Sequence, residues 1–282
     1  MPLTAKALTG DLPGRRFSYD LSATRLYALG VALAADGSER DLAYLLGDQP
    51  EVLPSQATVI AWDDRWIDEL GLDVTRIVHG EQRITLHRPI PPRASGRSEV
   101  RIIEALDKGP DKGAILYVET TLFEDGHDLP LATLISTVFA RGDGGFGGPS
   151  KGGLSLPALP ETEPDCVARV MVPLNQAHIY RLSGDENPLH VDPEFAARAG
   201  FDRPILHGLC TYGMALRQVI GEACGDEPGR VASIAARFTA PVFMGDTLET
   251  SIWKLAEDQI AFRTAIAERG DVVLDYGRLE LR

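Results

Sequence analysis

The chain has 282 residues, of which 44% are hydrophobic and 24% charged, enough apolar material for one large or two ordinary folded domains and too much for a disordered polymer. Its 41 acidic against 28 basic side chains give a formal charge of -13, which repels the phosphate backbone of DNA or RNA, so no nucleic-acid partner is expected. A small phosphorylated ligand is compatible with that charge, because it needs only a few local cations.

No apolar run reaches the roughly 18 residues that cross a bilayer, and Met1–Gly10 carries no apolar core ahead of a cleavage site. A cytoplasmic protein with no membrane partner is expected, and the last residues, Glu280-Leu281-Arg282, carry no organelle address. Cys166, Cys210 and Cys224 are odd in number and form no CxxC, so reduced thiols are expected and no disulfide framework. His79, His87, His127, His178, His190 and His207 show neither HxxxH nor HxxEH spacing, and no metal is expected. GDGGFGGPSKGG does not open a strand-turn-helix unit, which leaves no dinucleotide fingerprint.

In chain order, the first predicted element is a helix over 23–35, where Leu26, Leu29, Val31 and Leu33 give an apolar stripe with some drift. A strand, a Pro-containing turn and a second strand follow over 84–108, then strand-like runs at 114–123 and 132–140. A Gly-rich then Pro-spaced stretch, 142–163, reads as a flexible and then semi-extended linker between units 1–141 and 164–282. The second unit repeats the order of the first. A helix is predicted over 208–222 from Leu209, Tyr212, Leu216, Val219 and Ile220, then a strand, Pro turn and strand over 235–258, and strand-like runs at 260–267 and 272–281. The reading is a duplicated α+β fold in which each sheet wraps a long helix, with two unrelated α+β domains as the alternative.

The densest polar chemistry lies in Tyr-Arg-Leu-Ser-Gly-Asp-Glu-Asn-Pro-Leu-His, residues 180–190. Gly-Asp and Asn-Pro are also ordinary turn formers, so a plain loop accounts for the segment equally well on composition. Asp185, Asn187 and His190 within six residues can nonetheless converge on one small volume and polarise a water. Farther on, Leu206-His207-Gly208 opens the helix of the second unit. Its free N–H groups offer an oxyanion site, although a glycine near a helix start and a buried or capping His207 need no function.

Together these segments resemble the hydratase motif of the (R)-specific enoyl-CoA hydratases, in the MaoC-like dehydratase family. The resemblance extends over most of the chain. It includes Val78-His79-Gly80-Glu81-Gln82 with Leu86-His87-Arg88-Pro89, Leu106-Asp107-Lys108-Gly109, and Arg237-Phe238 before Pro241 and Gly245-Asp246-Thr247, as in two-repeat members. It implies a double hot-dog fold with catalysis retained in the carboxyl-terminal repeat and the amino-terminal repeat given over to the acyl chain. It also implies syn hydration of a trans-2-enoyl-CoA to a (3R)-3-hydroxyacyl-CoA. Asp185 and His190 become the acid–base pair, Asn187 an orienting group and Gly208 the oxyanion donor, with His79, Gly80, Lys108, Pro188 and Phe238 touching the substrate.

Coenzyme A would enter as part of the substrate, with no separate cofactor. Lys108 would serve as a local cation for its phosphates, or be a solvated loop lysine; Arg88, Arg93 and Arg237 are further candidates. The first repeat lacks Asp-x-Asn-Pro-x-His and has instead a helical 41–46 stretch and a 51–66 region, whose Val59, Ile60, Trp62 and Trp66 could line an acyl pocket or simply fill the core. The rival reading is a non-catalytic hot-dog protein that binds acyl-CoA, or an inactive partner subunit. Two repeats in one chain form a pseudo-dimer, compatible with a homodimer.

Overall fold

The computed structural model describes residues 10–282, so most of the stretch expected to lack a leader falls outside it. The chain opens with two short strands, β1 (Gly10–Leu12) and β2 (Arg16–Tyr19), and a helix, α1 (Leu21–Gly30). Two further short helices, α2 (Ala57–Ile60) and α3 (Arg65–Glu69), precede four long strands: β3 (Ile77–Leu86), β4 (Ala94–Asp107), β5 (Ala114–Glu124) and β6 (Ala132–Ala140). Past the 142–163 segment come β7 (Cys166–Met171), α4 (Gln176–Tyr180), α5 (Pro193–Arg198) and α6 (Gly208–Ala223). The second unit ends in β8 (Val231–Phe238), β9 (Thr247–Ala256), β10 (Gln259–Ile266) and β11 (Val272–Leu281).

All the strands belong to one antiparallel sheet in the order β1-β4-β5-β6-β3-β8-β11-β10-β9-β7, with β2 also on β4. Reading outward from its centre, β3-β6-β5-β4 on one side repeats as β8-β11-β10-β9 on the other, so the internal duplication is visible in the strand order. Side chains alternate as a sheet with one covered face requires: along β9, Leu248, Thr250 and Ile252 are buried while Glu249 and Ser251 are less so. This is the α+β double hot-dog architecture that the sequence implies. Among the described residues no helix is long and apolar enough to cross a membrane.

The two units differ in what their sheets enclose. In the second, α6 is buried on nearly all sides from Leu209 to Leu216, as a core helix must be. Gly213 is needed there, because a Cβ would sit 2.6 Å from Val31 and 3.1 Å from the Tyr27 hydroxyl of the first unit. Among the described residues no long helix fills the corresponding position of the first unit, where the short α2 and α3 immediately precede β3. The expected helix over 23–35 is shorter, and its buried face is Thr24, Tyr27 and Ala28, leaving Leu29 exposed. Its end is set by the second unit. The Gly30 carbonyl accepts from Gln176 Nε2 and Cys210 Sγ, and Ala32 and Ala34 then turn through positive φ while Asp41 Oδ2 accepts the Ala34 N–H at 2.8 Å.

Strands β3 and β8 join the units, with Glu81 opposite Arg237 and Ile84 opposite Ile234. The Glu81 carboxylate is buried and takes hydrogen bonds from Arg237 at 2.6 and 2.8 Å and from Arg83 at 3.1 Å. Arg217 of α6 makes a second tie, to Asp41 of the first unit and to Asp226, each at 2.8 Å. The 142–163 segment is held at both ends. Asp107 accepts the Gly145 and Gly147 N–H groups, and the Thr162 carbonyl accepts from Trp253 Nε1 at 2.8 Å.

Replacing Arg237 by methionine leaves the buried Glu81 with Arg83 as its one partner. Because Arg237 is itself partly hydrated, the expected loss of unfolding free energy in urea is about 2 kcal/mol, below the full cost of an orphaned buried charge. A loss under about 0.5 kcal/mol, the scale of a surface pair, would contradict the role given to this seam.

Candidate active site

The loop after α4 turns sharply. A 3-10 turn over Arg181–Ser183 closes on Gly184 at φ 129, where a Cβ would also come within 3.3 Å of Trp62. A glycine thus lets the chain swing Asp185 inward against the first unit. Asn187 fixes the next step: its N–H donates to Asp185 Oδ1 at 3.2 Å, and its own Oδ1 accepts the Leu189 N–H at 3.0 Å to start the Pro188–His190 turn. That turn delivers His190, 8% exposed, beside Asp185, 9% exposed.

Two carbonyls fix the imidazoles. His190 Nδ1 meets the Ile205 carbonyl at 2.9 Å, so the proton lies on Nδ1 and Nε2 keeps its lone pair. His207, fully buried, donates from Nε2 to the Asp185 carbonyl at 3.1 Å, and its ring stacks on His190 with centroids 3.8 Å apart. His207 therefore positions both members of the pair from behind. One polar atom from each of Asp185, His190 and His207 lies within 4.8 Å of the others.

Burial controls their charge. It pushes the Asp185 carboxyl up from 3.8 to about 6, opposed by the Asn187 N–H and reinforced by Asp64. The same desolvation brings His190 down to about 4 and His207 to about 2. At neutral pH the site thus holds an ionised carboxylate beside a neutral imidazole.

Gly208 is the first residue of α6, so its N–H has no acceptor within the helix. The Phe238 ring covers it, 3.3 Å from where a Cβ would be. Across the seam, the β3–β6 register slips between His79 and Glu81, making Gly80 a bulge over the Phe139 ring. A Cβ at Gly80 would lie 2.0 Å from that ring. The bulge turns His79 inward, its ring centroid 4.8 Å from that of Phe238 and its Nε2 on the Glu81 carbonyl at 3.1 Å. Burial brings His79 down to about 4, so it too is neutral.

All of these groups except the fully buried His207 open on one cavity of about 910 Å³, at the upper end of the range of ordinary ligand pockets. Asp185, Asn187, His190 and Gly208 line one wall together with Phe238, and His79 and Gly80 stand beside them. The opposite walls come from the first unit, with Trp62, Trp66, Leu122 and Leu134 among them. The cavity occupies the inner face of β3–β6, where the first unit has no long helix. Two of the expected contacts are not among the residues lining the cavity. Pro188 starts the turn without lining the cavity, and Lys108 donates to the Ser150 carbonyl at 2.6 Å. Val59 and Ile60 pack against the hydrophobic core instead of the cavity. Arg88 is paired with Glu124, Arg93 bonds the Asp48 carbonyl and Arg237 is spent on Glu81. The Ile205 carbonyl and Asp64 are site features that sequence reasoning missed. A backbone carbonyl has no residue signature, and Asp64 looks like any loop carboxylate.

The MaoC like domain family matches residues 155–275, and the MFE-2 hydratase 2 N-terminal domain family matches residues 17–142. An enoyl-CoA hydratase of Mycobacterium tuberculosis is 38% identical over 276 residues, 95% of each chain. The 3-hydroxyacyl-thioester dehydratase Y of the same organism is 41% identical over 271 residues, 91% of each chain. A MaoC-like dehydratase crystal structure from Phytophthora capsici aligns over 99% of this chain and 98% of its own, with a TM-score of 0.87 at 29% identity.

Keeping Asp185 ionised in a buried site costs stability. Its folded pKa of about 6 lies above the ordinary 3.8, so the fold holds this proton more tightly than the unfolded chain, and stability from this group falls as pH rises from 4 through 6. Asp185→Asn is therefore expected to be more stable than the parent at pH 7.5 by about 2 kcal/mol, the advantage shrinking toward pH 4. Parallel urea titrations at the two pH values check this, and a variant less stable than its parent at pH 7.5 would refute the assigned direction.

Proposed function

Because the chain belongs to the MaoC-like dehydratase family, we propose that it adds water reversibly and with syn geometry to a trans-2-enoyl-CoA, giving a (3R)-3-hydroxyacyl-CoA in fatty-acid or related acyl-CoA metabolism. It is a hydro-lyase of the enoyl-CoA hydratase type. The observation that carries the catalytic assignment is the meeting of the Asp185 carboxylate and the bare His190 Nε2 on the cavity wall beside the start of α6. One ring nitrogen of His190 lies within 4.8 Å of an Asp185 carboxylate oxygen, close enough for a single water to sit between the two side chains.

The reaction asks for little beyond that. The hydroxyl of the bridging water adds to C3, its released proton is taken by one of the pair, and one proton is returned to C2, so the enzyme ends as it began. As the new bond forms, negative charge gathers on the thioester oxygen. The Gly208 N–H, unspent by the helix and at its positive end, stabilises that charge by a few kcal/mol. Asn187 holds the Asp185 carboxylate through its N–H and caps the turn that carries His190, so it acts on both. His79 and Phe238 close the site from the seam, and the acyl chain extends over Leu122 and Leu134 into the first unit. No cofactor beyond the coenzyme A of the substrate is required. Three cysteines without disulfide partners suit the reducing cytoplasm.

Hydration is followed by loss of the enoyl-thioester ultraviolet absorbance of crotonyl-CoA or decenoyl-CoA. Asp185→Ala and His190→Ala should each lower it by roughly two to four orders of magnitude. Folded variants with near-normal rates would overturn the assignment, and binding without turnover by the parent would make this a non-catalytic acyl-CoA protein. Chiral analysis should give the 3R alcohol; a mainly 3S product would mean that water attacks the opposite face of C3 and would contradict the R-specific assignment.

The pH profile follows from the same groups. Since His190 is already neutral above about 4, kcat/KM should rise as Asp185 ionises and level off above about pH 6. A fall between pH 5 and 7 would mean that the protonated carboxyl is the active form.

A further inference from the structure

Coenzyme A is a polyanion, and a chain of formal charge -13 must gather cations locally to hold it. Three arginines line the cavity: Arg65, Arg76 and Arg141. Arg65 is paired with Asp63 at 2.5 Å. Arg76 and Arg141 differ, since neither makes an ion pair among the described residues and both side chains are solvent-exposed. Arg83, Arg217 and Arg237 are each neutralised against carboxylates, whereas Arg76 and Arg141 present two free guanidiniums to one cavity. Asp73 and Asp143 lie nearby and temper the local charge without pairing.

Their positions follow from the sheet. Arg76 immediately precedes β3 and Arg141 immediately follows β6, in register through the Ile77–Ala140 pair. The Arg141 N–H donates to the Arg76 carbonyl at 3.1 Å, so the two residues stand side by side at one end of the cavity. The β4–β5 hairpin, with Lys108 and Lys112, adjoins them: a Cβ on Gly113 would lie 2.6 Å from the Arg141 Cα. His79 is three residues inward from Arg76, roughly 10 Å along the strand, and Leu134 is seven residues inward from Arg141, roughly 23 Å. The groove therefore runs from a cationic rim, past His79, to an apolar end.

We infer that Arg76 and Arg141 bind the phosphates of the coenzyme A moiety. This rests on the hydratase reading above and orients its substrate, with phosphates at the rim and acyl chain toward Leu122 and Leu134. Paired guanidiniums suit phosphate oxygens, which they can engage through two parallel hydrogen bonds.

The test compares the parent with an Arg76→Ala, Arg141→Ala double variant on crotonyl-CoA and on crotonyl-pantetheine, which lacks the adenosine phosphates. The double variant should raise KM for crotonyl-CoA roughly tenfold or more, the scale of a lost hydrogen bond to a charged group, with kcat within about twofold. Its kcat/KM on crotonyl-pantetheine should match the parent. Calorimetry with free coenzyme A needs no turnover, and there the affinity should fall by a similar factor, with Arg141→Ala alone giving part of the loss. Unchanged affinity for coenzyme A, or an equal loss on both thioesters, would overturn the assignment. A parent that binds coenzyme A through these arginines yet hydrates neither thioester would sink the hydratase reading while leaving the phosphate site standing.

Discussion

Strand β3 is paired along both edges, to β6 of its own unit and to β8 of the other, and the rest of the molecule depends on that double pairing. An interior strand must satisfy its backbone groups along both edges, and β3 also buries side chains where the two units meet. The cost appears at Glu81, a buried carboxylate that needs Arg83 and Arg237 together. One residue earlier, the bulge at Gly80 breaks the register that would otherwise continue to the end of the strand. Without the bulge, alternation would place His79 on the opposite face of the sheet, and the wall of the cavity against Phe238 would be lost. The seam that makes one body of two repeats thus also shapes the ligand site.

Much of this was legible in the sequence because strands and caps are local. Pro turns and apolar runs located eight long strands, although β3 begins seven residues before the run that marked it, and the order of those runs exposed the duplication. Asp185, Asn187 and His190 stood out by their density in one turn-forming segment, which a plain loop explained equally well, and it was the resemblance to the MaoC-like family that singled them out together with Gly208. The first helix was misjudged at its end for the opposite reason. Its last carbonyls accept from Gln176 and Cys210, residues of the other unit, and no local pattern contains that information. Trp62 and Trp66 could be nominated for the cavity but not distinguished from Val59 and Ile60, since burial in a core and lining of a cavity leave the same apolar signature. The short strands β1, β2 and β7 went unread because they lie at the sheet edges, where pairing depends on a neighbour more than on pattern.

The two repeats have divided two incompatible demands. A core helix such as α6 fills its sheet and leaves no room for a ligand, whereas a sheet with only α2 and α3 above it encloses a cavity but buries less apolar surface. One chain accommodates both because the filled unit supplies stability and a rigid platform, while the hollow unit supplies volume. The loop that carries Asp185 and His190 projects from the filled unit across Trp62 of the hollow one, so the two side chains are positioned by packing on one side and face space on the other. Its buried carboxylate and two neutral imidazoles are tolerated only because carbonyls and N–H groups of rigid turns hold them.

The distribution of charge follows the same division. Several arginines of this acidic chain, Arg217 and Arg237 among them, are bound to carboxylates that tie strands or units together, and such pairs add little field at a distance because each cation is neutralised where it stands. Only cations left without partners can present a positive potential to a ligand, and the cavity rim is where two of them remain side by side. Net charge therefore constrains the partner weakly, whereas the pairing state of individual arginines constrains it strongly. The overall charge of -13 repels an extended polyanion that must touch a broad surface, yet it leaves a short one, held at a single rim with its apolar end buried, free to bind.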